Sequence, residues 1–83
     1  MVADSDCVAI FHSIHRVMKA EKILKGKQAP ILLIPVPRQL TSDCGLAIRY
    51  APDARESVEG LLRDADLSPT EVFCKQGDDF VRC

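Results

Sequence analysis

Eighty-three residues make one small domain, and a chain of that size buries only roughly 60% of its unfolded surface. The apolar fraction is 47%, with no Trp and one Tyr, so the core is expected to be Ile, Leu, Val and Ala. Eleven basic against twelve acidic residues leave a net charge of −1, without the basic excess typical of a nucleic-acid-binding domain.

No apolar run approaches the roughly 18 residues of a membrane span. The opening Met1–Asp6 is acidic and polar and does not read as a secretory signal. The expected location is therefore the cytoplasm, where thiols stay reduced. Four cysteines are then expected to serve chemistry, metal or core packing, not a disulfide framework. There is no Cys-x-x-Cys pair and no histidine at zinc-finger spacing, so neither a metal nor another cofactor is expected.

Cys7-Val8-Ala9-Ile10-Phe11 is continuously apolar and fits a buried strand. Ser13 is a good N-cap, since its hydroxyl accepts an orphan backbone N–H. A helix is predicted from Ile14 to Lys25, with Ile14, Val17, Met18 and Leu24 on its apolar stripe and Gly26 as its stop. Ile31–Ile34 reads as a second strand between Pro30 and Pro35, and Leu46–Tyr50 as a third. A second helix opens at Pro52-Asp53 with the stripe Ala54, Val58, Leu61, Leu62 and Ala65, and Glu71–Lys75 is the fourth strand. Residues 76–83 either fold back as a hairpin around Asp78-Asp79 or fray.

The order β-α-β-β-α-β is the split βαβ signature of a ferredoxin-like sandwich. The predicted class is α+β, with a four-stranded antiparallel sheet and both helices on one face. Residues 1–83 form one domain with a core of about 7–75. Right-handed crossovers put the first two strands parallel with the third between them. The first two strands are apolar on both faces, so a homodimer through the open sheet face is the expected cover.

The stretch from Pro35 to Gly45 exceeds the about two to five residues that a plain hairpin connection needs. It ends on Cys44-Gly45, where the third strand begins. The topology brings Cys44 to the same edge as His12, Ser13 and the first turn of the first helix. Unpaired N–H groups and about half a positive charge at that turn favour a thiolate. Arg38 and His12 add positive charge, and Gly45 leaves room for a ligand or partner to approach the backbone. Cys7 and Cys74 fall at the opposite end of the sheet and read as core; pairing of the fourth strand with the first brings them near each other, and a hairpin about Asp78-Asp79 puts Cys83, a possible resolving thiol, across from Cys74. His12 and His15 stand three apart, a spacing open to metal, but surface histidines at a helix start account for them.

Pro35-Val36-Pro37-Arg38, Leu40, Ser42 and Cys44-Gly45-Leu46-Ala47-Ile48-Arg49 resemble the signature of the selenium/sulfur (Se/S) carrier-like proteins. Phe11-His12-Ser13, Ala20-Glu21-Lys22 and Val58–Ala65 extend the similarity over about residues 7–75. The resemblance implies a thiol that carries sulfur or selenium as a persulfide or perselenide between partner enzymes. Cys44 is its implied acceptor, and the loop with Arg38 and Ser42 is its setting. The Cys-Pro-x-Pro motif that other sulfur-relay proteins place at a helix start does not occur in this chain. The preferred function is thus a carrier without its own turnover, served by donor and acceptor proteins. The rivals are a redox module in which Cys44 pairs reversibly with Cys83, and a dimeric ligand-binding subunit.

Overall fold

The computed structural model describes residues 5–38, 40 and 45–83. Five strands and two helices follow in the order β1 (Cys7–Ile10), α1 (Ile14–Gly26), β2 (Ile31–Pro35), β3 (Leu46–Tyr50), α2 (Arg55–Asp64), β4 (Glu71–Gln76) and β5 (Asp79–Arg82). A single 3-10 turn, Pro52–Ala54, leads into α2. The strands form one sheet in the order β2-β3-β1-β4-β5, and each neighbouring pair is antiparallel. Among the described residues, no helix is long and apolar enough to cross a membrane.

The sheet has five strands where four were expected. Residues 76–83 form a hairpin with β4, in which Gln76 faces Asp79 across the turn Gly77-Asp78. Gly77 adopts a left-handed φ of 62°, which glycine reaches without a Cβ penalty. The expected turn at Asp78-Asp79 is shifted back by one residue because the glycine takes the strained position.

β1 is the central strand and is buried on both faces. Cys7 and Ala9 join the cluster with Val17, Ala20 and Leu24 of α1 and Val58 and Leu62 of α2. Val8 and Ile10 point the other way, into a second cluster with Ile34 and Ala47. Both helices therefore lie on one face of the sheet. Part of the cover on the other face comes from the chain itself: Val36, Leu40, Phe73 and Phe80 pack against the second cluster. Arg82 and Lys75 lie over the Phe73 and Phe80 rings, at 5.7 and 5.5 Å from their centroids, where a cation and a ring face attract.

The buried stripe of α1 is Val17, Ala20 and Leu24. Ile14 and Met18, expected on that stripe, are 54% and 43% exposed. Ala20 lets the helix sit close to the sheet, and that rotation turns the larger pair outward. Ser13 caps the helix as expected: its Oγ accepts from the Arg16 N–H at 3.3 Å.

Gly26 does not stop α1; it is the last helical residue. The stop is a Schellman motif in which Gln28 takes the left-handed position, φ 60°. Ala29 N–H donates to the Leu24 carbonyl at 2.9 Å and Gln28 N–H to the Lys25 carbonyl at 3.0 Å. α2 ends the same way, with Asp66 at φ 57° and Leu67 N–H donating to the Leu62 carbonyl at 2.8 Å.

A left-handed conformation costs a side-chain-bearing residue roughly 1–2 kcal/mol. Gln28→Gly is expected to raise stability by about 1 kcal/mol and the melting temperature by several degrees. A thermal melt that moves downward would contradict the Schellman assignment. Leu62→Ala, at a fully buried position, is expected to cost about 2–5 kcal/mol in a denaturant titration.

Candidate functional site

The connection from β2 to β3 is closed at its base and turns after Pro37. Val36 N–H donates to the Gly45 carbonyl at 3.1 Å, and Leu40 N–H donates to the Pro37 carbonyl at 3.0 Å. The second bond closes a turn that opens at Pro37 and carries Arg38 at its first inner position. Val36 and Leu40 anchor the connection to the sheet by packing partly buried side chains against the second cluster. Arg38 stands exposed on the turn.

Gln39, Thr41, Ser42, Asp43 and Cys44 lie outside the described residues, so the candidate thiol Cys44 and its neighbour Ser42 are known here only through the chain on either side. Gly45 continues into β3, whose Ala47 faces Ile10 at the end of β1. The described side of the motif thus reaches the edge where β1 gives way to α1. A Cβ built on Gly45 would meet Val36 Cγ2 at 3.8 Å, an ordinary contact, so the fold itself leaves room for a side chain there.

The supporting residues separate into two groups. Ser13 and Gly45 share that edge, and the Ser13 hydroxyl is engaged in capping α1. His12, at φ 55°, turns the chain from the sheet into the helical layer. Its Nε2 donates to Glu71 Oε1 at 3.1 Å, which ties the imidazole to β4, on the side of β1 away from β3. Glu71 also pairs with Arg82. The hydrogen bond from His12 holds the Glu71 carboxyl below its ordinary pKa, with Arg82 contributing.

Cys83 lies elsewhere. It is joined to Cys74 in a disulfide with Cα atoms 5.9 Å apart, which corrects the expectation that the cysteines do not build one. The physical cause is the hairpin: β5 runs back along β4, Val81 faces Cys74, and Cys83 follows on the same face two residues later. Cys7 faces Cys74 across the β1–β4 ladder, and their Sγ atoms are 3.9 Å apart. Burial pushes the Cys7 thiol up from its ordinary pKa; Arg55 opposes that rise, and Glu59 and Asp6 add to it. Beside this end of β1, Tyr50 Oη donates to Glu59 Oε2 at 3.0 Å, and Arg55 Nε donates to the same oxygen at 3.0 Å. The Tyr50 hydroxyl is held far above its usual pKa, first by burial and then by Glu59.

From Cys7 to Ile10 is three residues of strand, or roughly 10 Å. The sulfur cluster and the Gly45 edge therefore stand at opposite ends of β1. Sequence reasoning read Cys7 and Cys74 as core because each sits in an apolar run. The signal that joins them to Cys83 is topological, since it needs both the β1–β4 pairing and the last hairpin.

No curated protein and no solved structure matches the chain. The family model described as "Putative Se/S carrier protein-like" matches residues 6–74, a span that includes the whole β2–β3 connection and β1 through most of β4. The chain belongs to this Se/S carrier protein-like family.

Proposed function

We propose that the protein is a sulfur or selenium carrier that holds a persulfide or perselenide on Cys44. The observation that carries this reading is the family match over residues 6–74, which takes in Cys44 and its Pro-Arg loop. In the transfer step the Cys44 thiolate attacks the outer sulfur of a donor persulfide. The new S–S bond forms on Cys44, the donor S–S bond breaks, and the donor leaves as a thiolate. Release to an acceptor thiolate repeats the exchange in the opposite sense, with no net oxidation. Arg38 and the amide-rich start of α1 are the groups proposed to stabilise the anion. His12 has a weaker claim to that role, because its ring is held by Glu71.

The partners in this reading are a donor protein and an acceptor protein in the cytoplasm, and the carrier has no turnover of its own. The proposed architecture is a ferredoxin-like sandwich lengthened by one strand. It is supported by the order β2-β3-β1-β4 and by the helices sharing one face. A homodimer would use the second face, where Leu32 remains exposed beside the covered cluster.

A second reading, thiol–disulfide chemistry, is favoured by one observation, the Cys74–Cys83 bond. It moves the working sulfurs away from Cys44, and a thiol titration with and without reductant distinguishes it from the carrier.

The protein is expected to gain the mass of one sulfur atom when incubated with a cysteine desulfurase and cysteine, read by intact-protein mass spectrometry. Cys44→Ala is expected to remove that gain. A wild-type protein without the adduct, or a variant that keeps it, refutes the carrier reading. Gly45→Ala is expected to fold with stability within about 0.5 kcal/mol of wild type but to load sulfur more slowly, because a methyl group narrows the approach to the thiol. Unchanged loading kinetics would mean that the glycine has no part in docking.

A further inference from the structure

Three sulfurs from three different strands or strand ends meet at the start of β1. The Sγ atoms of Cys7, Cys74 and Cys83 all lie within 4.8 Å of one another, yet the residues are 67 and 9 positions apart along the chain. Two of them are joined as a disulfide, and the third, Cys7, is a buried free thiol.

Two chemistries suit such a cluster, and the geometry separates them. In thiol–disulfide exchange the attacking sulfur approaches along the axis of the S–S bond. A collinear arrangement would put Cys7 and Cys83 roughly 6 Å apart, given the 3.9 Å from Cys7 to Cys74 and an ordinary S–S bond of about 2 Å. The sulfurs instead lie no more than 4.8 Å from one another. They form a triangle and not a line. Tetrahedral zinc, with Zn–S bonds of about 2.3 Å, spaces its sulfur ligands about 3.8 Å apart. The Cys7–Cys74 separation of 3.9 Å already matches one edge of that tetrahedron.

We propose that Cys7, Cys74 and Cys83, once the Cys74–Cys83 bond is reduced, form a three-thiolate site for a thiophilic d10 cation, with Zn2+ as the type ion and the fourth position open to solvent. A dithiol reductant supplies the two electrons and two protons that convert the disulfide to two thiols, and it leaves as a cyclic disulfide. The cation then displaces the thiol protons into the buffer as the metal–sulfur bonds form. Soft thiolate ligands select such ions over Mg2+ or Ca2+. Cys7 and Cys74 are held by facing register positions on β1 and β4, so two ligands are preorganised in the rigid part of the sheet. Cys83 follows the outer strand β5 and is exposed, so it is the ligand that moves when the bond opens. Burial falls from Cys7 through Cys74 to Cys83, which leaves the open coordination position on the solvent side. The oxidised protein has one thiol there and the reduced protein three, so metal binding becomes a readout of thiol redox state.

The test uses the full chain carrying Cys44→Ser, so that the loop cysteine cannot act as a ligand. The protein is reduced with a phosphine, which is oxidised to its oxide by water oxygen as the two thiols form. It is then titrated with Zn2+ and weighed under native conditions, and Co2+ is used in parallel for thiolate charge-transfer absorption. One ion per chain is expected after reduction and none before it. Adding Cys7→Ser or Cys83→Ser is expected to abolish the stoichiometric ion; circular dichroism checks that each variant is folded, and Cys83, being exposed, gives the variant least able to disturb the core. Failure of the reduced protein to bind, equal binding by the oxidised protein, or retention of the ion by the folded Cys83→Ser variant overturns the proposal. Because Cys44 is absent throughout, none of these outcomes bears on sulfur carriage by the loop.

Discussion

A single requirement shapes this molecule: β1 lies in the middle of the sheet and must be dry on both sides. Its four residues are at most 1% exposed, and successive side chains point to opposite faces. Cys7 and Ala9 call for a helical layer, which Val17, Ala20, Leu24, Val58 and Leu62 provide. Val8 and Ile10 call for something on the reverse face, where the described residues place no helix. That demand is met by side chains from two places, the β2–β3 connection through Val36 and Leu40, and the β4–β5 hairpin through Phe73 and Phe80. The loop that carries the family's cysteine is therefore part of the core's cover, and so is the hairpin that carries Cys83.

This double duty explains the distribution of the sulfurs. The loop is held at its base by the Val36–Gly45 bond, and Val36 and Leu40 pack partly buried side chains against the second cluster. The other cysteines stand at the far end of β1 and are assembled by sheet register alone. The described cysteines and the β2–β3 connection thus lie at opposite ends of β1. The connection carries the exposed Arg38, while Cys7 faces Tyr50 across the β1–β3 ladder and feels the charges of Arg55 and Glu59.

Much of this was legible beforehand. The strands and helices follow from apolar runs, a serine cap and flanking prolines, and the βαββαβ order dictates which strands neighbour one another. The misreadings have local causes. Ile14 and Met18 fit a helical stripe as well as Ala20 does, and only packing against the sheet shows that the small residue faces inward. Gly26 looked like a stop, yet Gln28 takes the left-handed position because the Leu24 and Lys25 carbonyls find their partners there. A short polar segment with one apolar pair, Phe80-Val81, has no decisive period, so residues 76–83 alone do not decide between a fifth strand and a frayed tail. The fifth strand is specified instead by Gly77 in the turn and by Cys83 reaching Cys74. Cys44 was legible as a motif; its surroundings are a matter of tertiary structure, which no spacing rule supplies.

The hairpin also decides what lies at the borders of the sheet. β2 is bracketed by Pro30 and closed by Pro35, and β5 carries Asp79 and Arg82, so both margins resist pairing with a stray strand. β4 is different. Its Val72-Phe73-Cys74 run is rich in β-forming residues and is shielded on one side only by β5. The β4–β5 ladder covers that run, and the Cys74–Cys83 bond ties the last residue of the chain back to it, so the outer strand cannot peel from its free end while the bond stands.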